Sequence, residues 1–301
     1  MGKIKRSGEL FVQAWGVLKG DPALAMFPII SSVATLAVVA SFVLPVVLSP
    51  ELRETFTGVL ESQGRHSAHA AAEDGQAVSA GGRVLVLGIM FAFYLVTSFV
   101  TIFFNAALLG AADRKFRGEP TGVSVGISVA MSRLPQIIGW SILSAIVGTI
   151  LRALEERVGF LGRIVIGLLG VGWAIASYFA VPALVLEGVG PFEAVKRSMS
   201  AIRKSWGEGL VLAVGFGVAG FLVTLVVLAF IAGGIVLGIM TESVALGIAV
   251  GSLGVLLLLA WAVVASTLKT IVQMALYRYA VDGVVPNGFQ QSSLAGAFAR
   301  K

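Results

Sequence analysis

Both histidines of this chain lie in the stretch RHSAHAAAED, which also contains acidic residues. His66 and His69 are three residues apart, so they would share one face of a helix, with Glu73 one turn further on. Two imidazoles and a carboxylate are ligands that zinc accepts. The surrounding Ala, Gly and Ser residues supply no preformed further ligand, which is typical of solvated histidines in a loop. We therefore predict no bound metal and no cofactor here.

A second candidate for chemistry is a group of basic residues in the stretch GPFEAVKRSMSAIRKSW, which begins at Gly190. The basic residues are Lys196, Arg197, Arg203 and Lys204. Apolar residues of the stretch recur at spacings of three and four, which is one stripe of an α-helix. They are Phe192, Val195, Met199, Ile202 and Trp206. Such a helix is typical of a segment in the headgroup layer of a membrane. We predict that its basic residues, with Lys5 and Arg6 near the N-terminus, bind anionic lipid headgroups.

Transmembrane helices are the elements that must position these residues. Hydrophobic residues make up 57% of the 301-residue chain and charged residues 13%, whereas soluble proteins are about 25% charged. A helix needs about 20 apolar residues to cross the hydrocarbon core. Six stretches are long enough or nearly so: 26–48, 84–110, 134–151, 164–186, 210–239 and 244–268. The sequence therefore predicts an all-α integral membrane protein with six transmembrane helices.

These stretches form one predicted transmembrane domain over 1–282, followed by a flexible cytoplasmic tail over 283–301. The long first connection, 49–83, is predicted to begin with a short helix at Pro50 and to be disordered further on, because it is rich in Ala, Gly and Ser. The fifth stretch contains Gly233 and Gly234, which predict a tilt or a kink. Only MTES separates the last two stretches, so they are predicted to form an antiparallel hairpin.

The distribution of basic residues predicts the orientation in the membrane. Of the 22 Lys and Arg residues, 16 lie in the N-terminal segment, the second and fourth connections and the C-terminal segment. The positive-inside rule then places both termini in the cytoplasm, as expected of a protein of the cell membrane. This topology accounts for the net charge of +6, so a nucleic-acid partner is not required. The alternative of a cleaved signal peptide is disfavoured because no Ala-x-Ala-like site closes the first apolar run.

An internal repeat links the two ends of the chain. KRSGELFVQAWG, from Lys5, and KRSMSAIRKSWG, from Lys196, share Lys-Arg-Ser and, after seven intervening residues, Trp-Gly. A third stretch, GVSVGISVAMSRLP, has helical apolar spacing, although its Val/Ser alternation also suits a strand. A membrane setting favours the helix. We predict three units, over about 1–110, 113–187 and 188–282, each an amphipathic interfacial helix followed by a transmembrane hairpin. The alternative is that any cytoplasmic connection between spans looks like this.

The stretch from Tyr178 to Leu210 resembles the P-x-L-V-x-E-x-x-G-x-x-x-A-x-x-R-S segment of an uncharacterised family of prokaryotic six-span membrane proteins. The matching residues are Pro182, Glu187, Gly190, Ala194, Arg197, Ser198 and Trp206. The N-terminal AWGVLKGDPALAMFP resembles the start of the same family. The pattern is also similar to the membrane domains attached to some glycerophosphodiester phosphodiesterases, although no soluble region here is large enough for their catalytic domain. The resemblance implies an integral membrane protein of unknown function.

Polar residues at membrane depth are few, which bears on function. The first five apolar stretches have no Asp, Glu, Lys, Arg or His in their interiors, and Asn105 is the most polar residue there. Since intramembrane charges mark transport and proton relays, we predict that Asn105 makes an interhelical hydrogen bond. Asp21 and Glu187 lie beside basic residues where a span meets the interface, so we predict ion pairing or helix capping for both.

These observations favour a membrane component that is not an enzyme and that has a structural, lipid-binding or protein-binding role. The alternative is a transporter or permease for a small or lipid-like substrate, which the repeat and the glycine-rich spans would suit. GFGVAG spells a dinucleotide-binding motif, but it lies within an apolar span, where glycines serve close helix packing. The sequence leaves open whether the partner is a second copy of the chain or another membrane protein.

Overall fold

Helices make up nearly all of the chain. The computed structural model describes residues 3–64, 80–204 and 208–298, and these ranges contain no strand. The helices are α1 (Lys3–Gly20), the short 3-10 helix η1 (Pro22–Ala25), α2 (Met26–Leu48), α3 (Pro50–Gly64), α4 (Ala80–Phe116), α5 (Val123–Ser132), α6 (Leu134–Arg157), α7 (Phe160–Ala176), α8 (Ala180–Glu187), α9 (Pro191–Lys204), α10 (Glu208–Met240), α11 (Val244–Asp282) and α12 (Gln291–Phe298). The stretch for which a strand was the alternative is helical, as α5.

Six helical stretches of the described chain are long and apolar enough to cross a membrane, as the sequence predicts. They are Pro22–Leu48, Val84–Phe116, Leu134–Glu155, Leu161–Glu187, Gly220–Met240 and Val244–Asp282. Their outer surfaces carry many exposed large apolar side chains, among them Leu36, Leu168 and Leu256. Exposed apolar surface of this extent is unfavourable in water and favourable in lipid. The chain is therefore a multi-pass membrane protein.

The stretch 164–186, predicted as one span, is broken into α7 and α8. Ser177 Oγ donates to the Trp173 carbonyl over 2.7 Å, and the chain turns through 177–179. Pro182 has no N–H, so a continuous helix would leave the carbonyl of Tyr178 without its usual donor. Gln273 Nε2 of α11 donates to that carbonyl instead. The break therefore depends on a proline and on a side chain that is distant in sequence.

Close packing of glycines joins α10 to α11. A Cβ added at Gly234 would lie 2.7 Å from the carbonyl oxygen of Gly247 and 2.9 Å from the amide nitrogen of Gly251. At Gly247 an added Cβ would lie 2.8 Å from the carbonyl oxygen of Gly234. Only glycine allows two backbones to approach so closely. Within this contact α10 remains one α-helix through Gly233 and Gly234.

Most of the buried residues lie at one end of the bundle, which we call the α1 end. This end comprises α1, α5, α8, α9 and the last turns of α4 and α11. The last turns of α11 lie at its centre, because Leu268, Ile271 and Tyr277 are fully buried there. α1 packs against α11 and α12, and α9 packs against α8 and α11. The opposite half of the helices is largely exposed along its sides.

The segment after α11, predicted as a flexible tail, is packed against the α1 end up to Leu294, which is fully buried. Gln13 of α1 holds it through two hydrogen bonds, donating to Ser293 Oγ over 2.9 Å and accepting from the amide of Gln290 over 3.2 Å. Phe289 stacks edge-to-face on Phe116 of α4. The sequence pattern does not reveal this packing, because the segment is short and its partners are distant in the chain.

Candidate membrane-interface site

The turn between α8 and α9 forms where the sequence provides a glycine and a proline. Gly188 ends α8 in the left-handed conformation, with φ of 65°, and its amide donates to the Leu184 carbonyl over 3.1 Å. That conformation is strained for other residues. Pro191 begins α9, where its missing N–H costs nothing. We call α8, this turn and α9 together the α8–α9 unit.

Consecutive residues of α9 hold the two ends of α8. Ser198 Oγ, which is fully buried, accepts a hydrogen bond of 2.9 Å from the amide of Phe179, just before α8 begins. Arg197 reaches the other end of α8, with its guanidinium 3.5 Å from Glu187 Oε2. The Arg-Ser pair of this Lys-Arg-Ser stretch, one copy of the predicted repeat, therefore has a structural role within the unit.

Glu187 is the point at which the α8–α9 unit meets α11. Its Oε1 accepts a hydrogen bond from the hydroxyl of Tyr277, which is fully buried, while its Oε2 faces Arg197. A carboxylate that is partly buried needs such partners to offset its loss of hydration. The prediction that Glu187 pairs with a basic residue is thus confirmed, and Tyr277 is an additional partner.

Arg133, just before α6, and Gln136 of α6 donate hydrogen bonds to carbonyl groups at the C-terminal end of α8. Arg133 Nε donates to the carbonyl of Val185 over 3.1 Å. Gln136 Nε2 donates to the carbonyl of Gly188 over 3.2 Å. The last carbonyls of a helix lack intrahelical partners and attract a cation. Arg133, which counts toward the basic charge of the second connection, therefore also fixes the position of α8.

A second charged cluster joins α4 to α11. Asp113, whose side chain is 4% exposed, accepts from Arg278 Nε at 2.6 Å and lies 2.9 Å from a guanidinium nitrogen of Arg117. Arg278 also pairs with Asp282 at 2.9 Å. The residues of this cluster are not among the predicted site residues. The sequence does contain a signal for it, because an acid and a base lie four residues apart at the end of two apolar runs: Asp113 with Arg117, and Arg278 with Asp282.

The N-terminal end of α2 is fixed by polar contacts of Asp21. Its Oδ1 accepts from the amide of Ala23 over 3.2 Å, which caps η1 as predicted. Its Oδ2 accepts from the hydroxyl of Thr121, which follows α4. Lys115 Nζ donates to the Gly20 carbonyl over 3.0 Å. These contacts attach α1 and η1 to the end of α4.

At greater depth, Asn105 lies on α4 beside α11. Its side-chain oxygen accepts a hydrogen bond of 3.3 Å from the hydroxyl of Thr270. This is the interhelical bond that the sequence predicts for the most polar residue of the second span.

The outer face of α9 carries the predicted headgroup-binding residues together with large apolar side chains. Small residues, Ala194, Ser198 and Ala201, form the buried face of the helix. Phe192 and Met199 of the predicted apolar stripe are 74% and 40% exposed. Lys196 is 77% exposed beside Glu193, and Arg203 is also exposed. The helix thus turns its small residues toward the protein and Phe192, Met199 and its exposed basic residues outward, while Val195 and Ile202 of the stripe pack against the core.

Several predicted residues fall outside what the structure describes. These are the side chains of Lys5, Arg6 and Lys204, and the whole residues His66, His69, Glu73 and Trp206. Across the ranges 3–64, 80–204 and 208–298, no group of three or more His, Asp or Glu side chains is placed to hold a metal ion.

Comparison with known proteins identifies the family. Residues 84–288 match the model of a family described as Family of unknown function (DUF6159). The chain belongs to this family. The matched region runs from the start of the second span to the segment after α11, so it includes the α8–α9 unit and the Asp113 cluster. No curated protein and no solved structure matches the chain. All the motif residues from Pro182 to Trp206 lie within the matched region. The likeness to the membrane domains of glycerophosphodiester phosphodiesterases stays a prediction.

Proposed function

We propose that this protein is a non-enzymatic component of the cell membrane that binds anionic lipids at the cytoplasmic surface through amphipathic helices. In this proposal α1, α5 and α9 lie in the headgroup layer, each followed by a transmembrane hairpin, and both termini are cytoplasmic. The α1 end is then the cytoplasmic end, since it holds most of the basic residues.

The proposal rests on the side chains that α9 exposes on its outward face. Phe192 and Met199 are exposed alongside Lys196 and Arg203. Neither water nor hydrocarbon suits such a surface, because water disfavours the apolar groups and hydrocarbon disfavours the charges. The headgroup layer suits both, with the apolar side chains below and the basic ones toward phosphate. A basic residue near an anionic surface contributes about 1 kcal/mol.

The structure also indicates which basic residues belong in the test. Arg197 is bound to Glu193 at 3.2 Å and faces Glu187, so its replacement would disturb the α8–α9 unit as well as any lipid contact. Lys196 and Arg203 point outward, and a double replacement by Gln removes two charges without changing the buried face. Arg53 and Arg163, exposed at the opposite end of the bundle, give a matched control.

The test compares lipids retained by the protein from nanodiscs that contain equal amounts of phosphatidylglycerol and phosphatidylcholine. Native mass spectrometry after release counts each lipid on the intact protein. We expect K196Q/R203Q to lose its preference for phosphatidylglycerol by roughly tenfold or more, since two charges at about 1 kcal/mol each are removed. R53Q/R163Q is expected to behave as the wild type. Retention of phosphatidylglycerol by K196Q/R203Q at the wild-type level would refute the lipid-binding role.

A structural role is preferred to transport because of Asn105. This residue would be the first to contribute to a polar pathway, and it is already bonded to Thr270. The close contact between Gly234 and Gly247 likewise favours a tightly packed α10–α11 pair.

A further inference from the structure

A groove lies between α1, α10 and α11, and we call it the α1 groove. It is an open groove with a volume of about 530 Å³. Its lining side chains are all apolar: Phe11, Val12, Trp15, Val223, Val226, Leu257, Ala260, Trp261 and Val264. Binding sites for small molecules have volumes of about 300–1,000 Å³ and include a few polar groups that orient the ligand. The α1 groove has the volume but lacks such polar groups among its described lining residues, so it suits a hydrocarbon chain.

The groove exists because the two faces of α1 differ. Leu10, Ala14 and Val17 are buried against the protein. Phe11, Val12 and Trp15 lie on the side that overhangs α10 and α11. Val12 and Trp15 remain exposed even so. An apolar surface that stays open in this way needs hydrocarbon to cover it.

The depth of the groove places it in the leaflet nearest the α1 end. Val226 precedes Met240, the last residue of α10, by 14 residues, which is about 21 Å along a helix. The hydrocarbon core is about 30 Å thick. The groove therefore opens toward the acyl chains of that leaflet, close to their headgroups.

A basic residue stands at the rim of the groove. Lys19 Nζ lies 5.6 Å from the centroid of the Trp15 ring, and Trp15 is itself part of the lining. Lys19 is exposed, and among the described residues it has no carboxylate partner. Tryptophan is typical of the membrane–water boundary. The rim thus offers a positive charge at the level where a lipid phosphate would lie.

We infer that the α1 groove binds one acyl chain of an anionic phospholipid whose phosphate contacts Lys19. The inference rests on the proposed function, since both require α1 to lie in the headgroup layer. It names a separate site, however, on α1, α10 and α11 rather than on α9.

Groove-filling variants test the acyl-chain part of the inference. Ala260→Phe fills the groove from α11, and Val223→Phe fills it from α10. Leu259→Phe is the matched control, because Leu259 is next in the chain and exposed to lipid. Protein is taken from nanodiscs of equal phosphatidylglycerol and phosphatidylcholine, and bound lipids are counted by native mass spectrometry. We expect each folded groove variant to lose one tightly held lipid, and L259F to lose none.

The headgroup part is tested separately with Lys19→Gln. We expect K19Q to keep the bound lipid but to lose preference for phosphatidylglycerol at this site by about fivefold. An unchanged preference in K19Q would overturn the role of Lys19. Retention of the same number of lipids by A260F or V223F would overturn the groove. Loss of a dimer rather than of a lipid in these variants would also overturn it, because the occupant would then be a second copy of the chain.

The two proposals fail in different ways. Failure of the α9 proposal appears as an unchanged lipid preference in K196Q/R203Q, whatever the groove variants do. Failure of the groove inference appears as an unchanged lipid count in A260F or V223F, whatever the α9 variant does.

Discussion

The glycine contact between α10 and α11 predicts that alanine substitutions at two adjacent positions have different effects on stability. Gly233 and Gly234 are adjacent on α10, yet their surroundings differ. A Cβ at Gly233 would meet nothing within 4 Å, whereas one at Gly234 would lie 2.7 Å from the Gly247 carbonyl. The pair Gly233→Ala and Gly234→Ala therefore separates the effect of close packing from every effect that the two substitutions share.

The expected magnitudes follow from these distances. Backbone atoms cannot rotate away as a side chain can, so G234A must push the two helices apart. Overpacking of this kind costs about 1–3 kcal/mol. Both substitutions favour the helix, because alanine is better than glycine by up to about 1 kcal/mol in a helix interior. We expect G233A to be neutral or slightly stabilising and G234A to lower the free energy of unfolding.

Unfolding of each variant in mixed micelles by increasing mole fraction of sodium dodecyl sulfate, followed by circular dichroism, measures this difference. Gly247→Ala should lower the unfolding free energy as G234A does, since an added Cβ at Gly247 lies 2.8 Å from the Gly234 carbonyl oxygen. Equal unfolding free energies for G233A and G234A would show that α10 and α11 are not in glycine contact. The packing argument would then be refuted.

Two further predictions concern the polar contacts at the α1 end. Asp113→Asn removes the buried charge that pairs with the partly exposed Arg278 and should cost about 1.5–3 kcal/mol in unfolding free energy. Glu119→Gln, at two exposed pairs, should cost no more than about 1 kcal/mol; equal costs in the same unfolding assay would contradict the burial of Asp113. Ser198→Ala leaves the buried amide of Phe179 without an acceptor and should lower the unfolding free energy by about 1–3 kcal/mol. Ser200→Ala, on the exposed face of α9, should leave the unfolding free energy unchanged. An unchanged value for S198A would argue against the hydrogen bond that holds the start of α8.

The six apolar helices could be predicted because their length and composition carry the signal within each stretch. The break between α7 and α8 could not, since it depends on Gln273, which is 95 residues from the Tyr178 carbonyl that it satisfies. A proline at 182 is compatible both with a kink and with a new helix. Sequence alone therefore does not decide between them.

Part of the candidate site was predictable because its signal also lies within a single stretch of the sequence. The spacing of apolar residues in α9 predicts a helix, and the basic residues are read directly from the sequence. The spacing does not show which face meets the protein, and the small residues Ala194, Ser198 and Ala201 fill that role. Asp113 and Arg278 are separated by 165 residues, so their pairing needs the arrangement of α4 and α11.

The central position of α11 at the α1 end has a consequence for biogenesis. The chain is made from its N-terminus, and α11 follows the five other membrane-spanning stretches found among the described residues. Until it emerges, the Tyr178 carbonyl lacks Gln273, Glu187 lacks Tyr277 and Asp113 lacks Arg278. The five membrane-spanning stretches that precede it must therefore remain in the bilayer with the Tyr178 carbonyl unpaired, while Glu187 and Asp113 keep only Arg197 and Arg117 as basic partners. Membrane insertion factors or quality-control proteases can recognise such an incompletely packed state. Truncation within α11 should thus shorten the lifetime of the whole protein in the cell rather than remove one helix from an otherwise intact bundle.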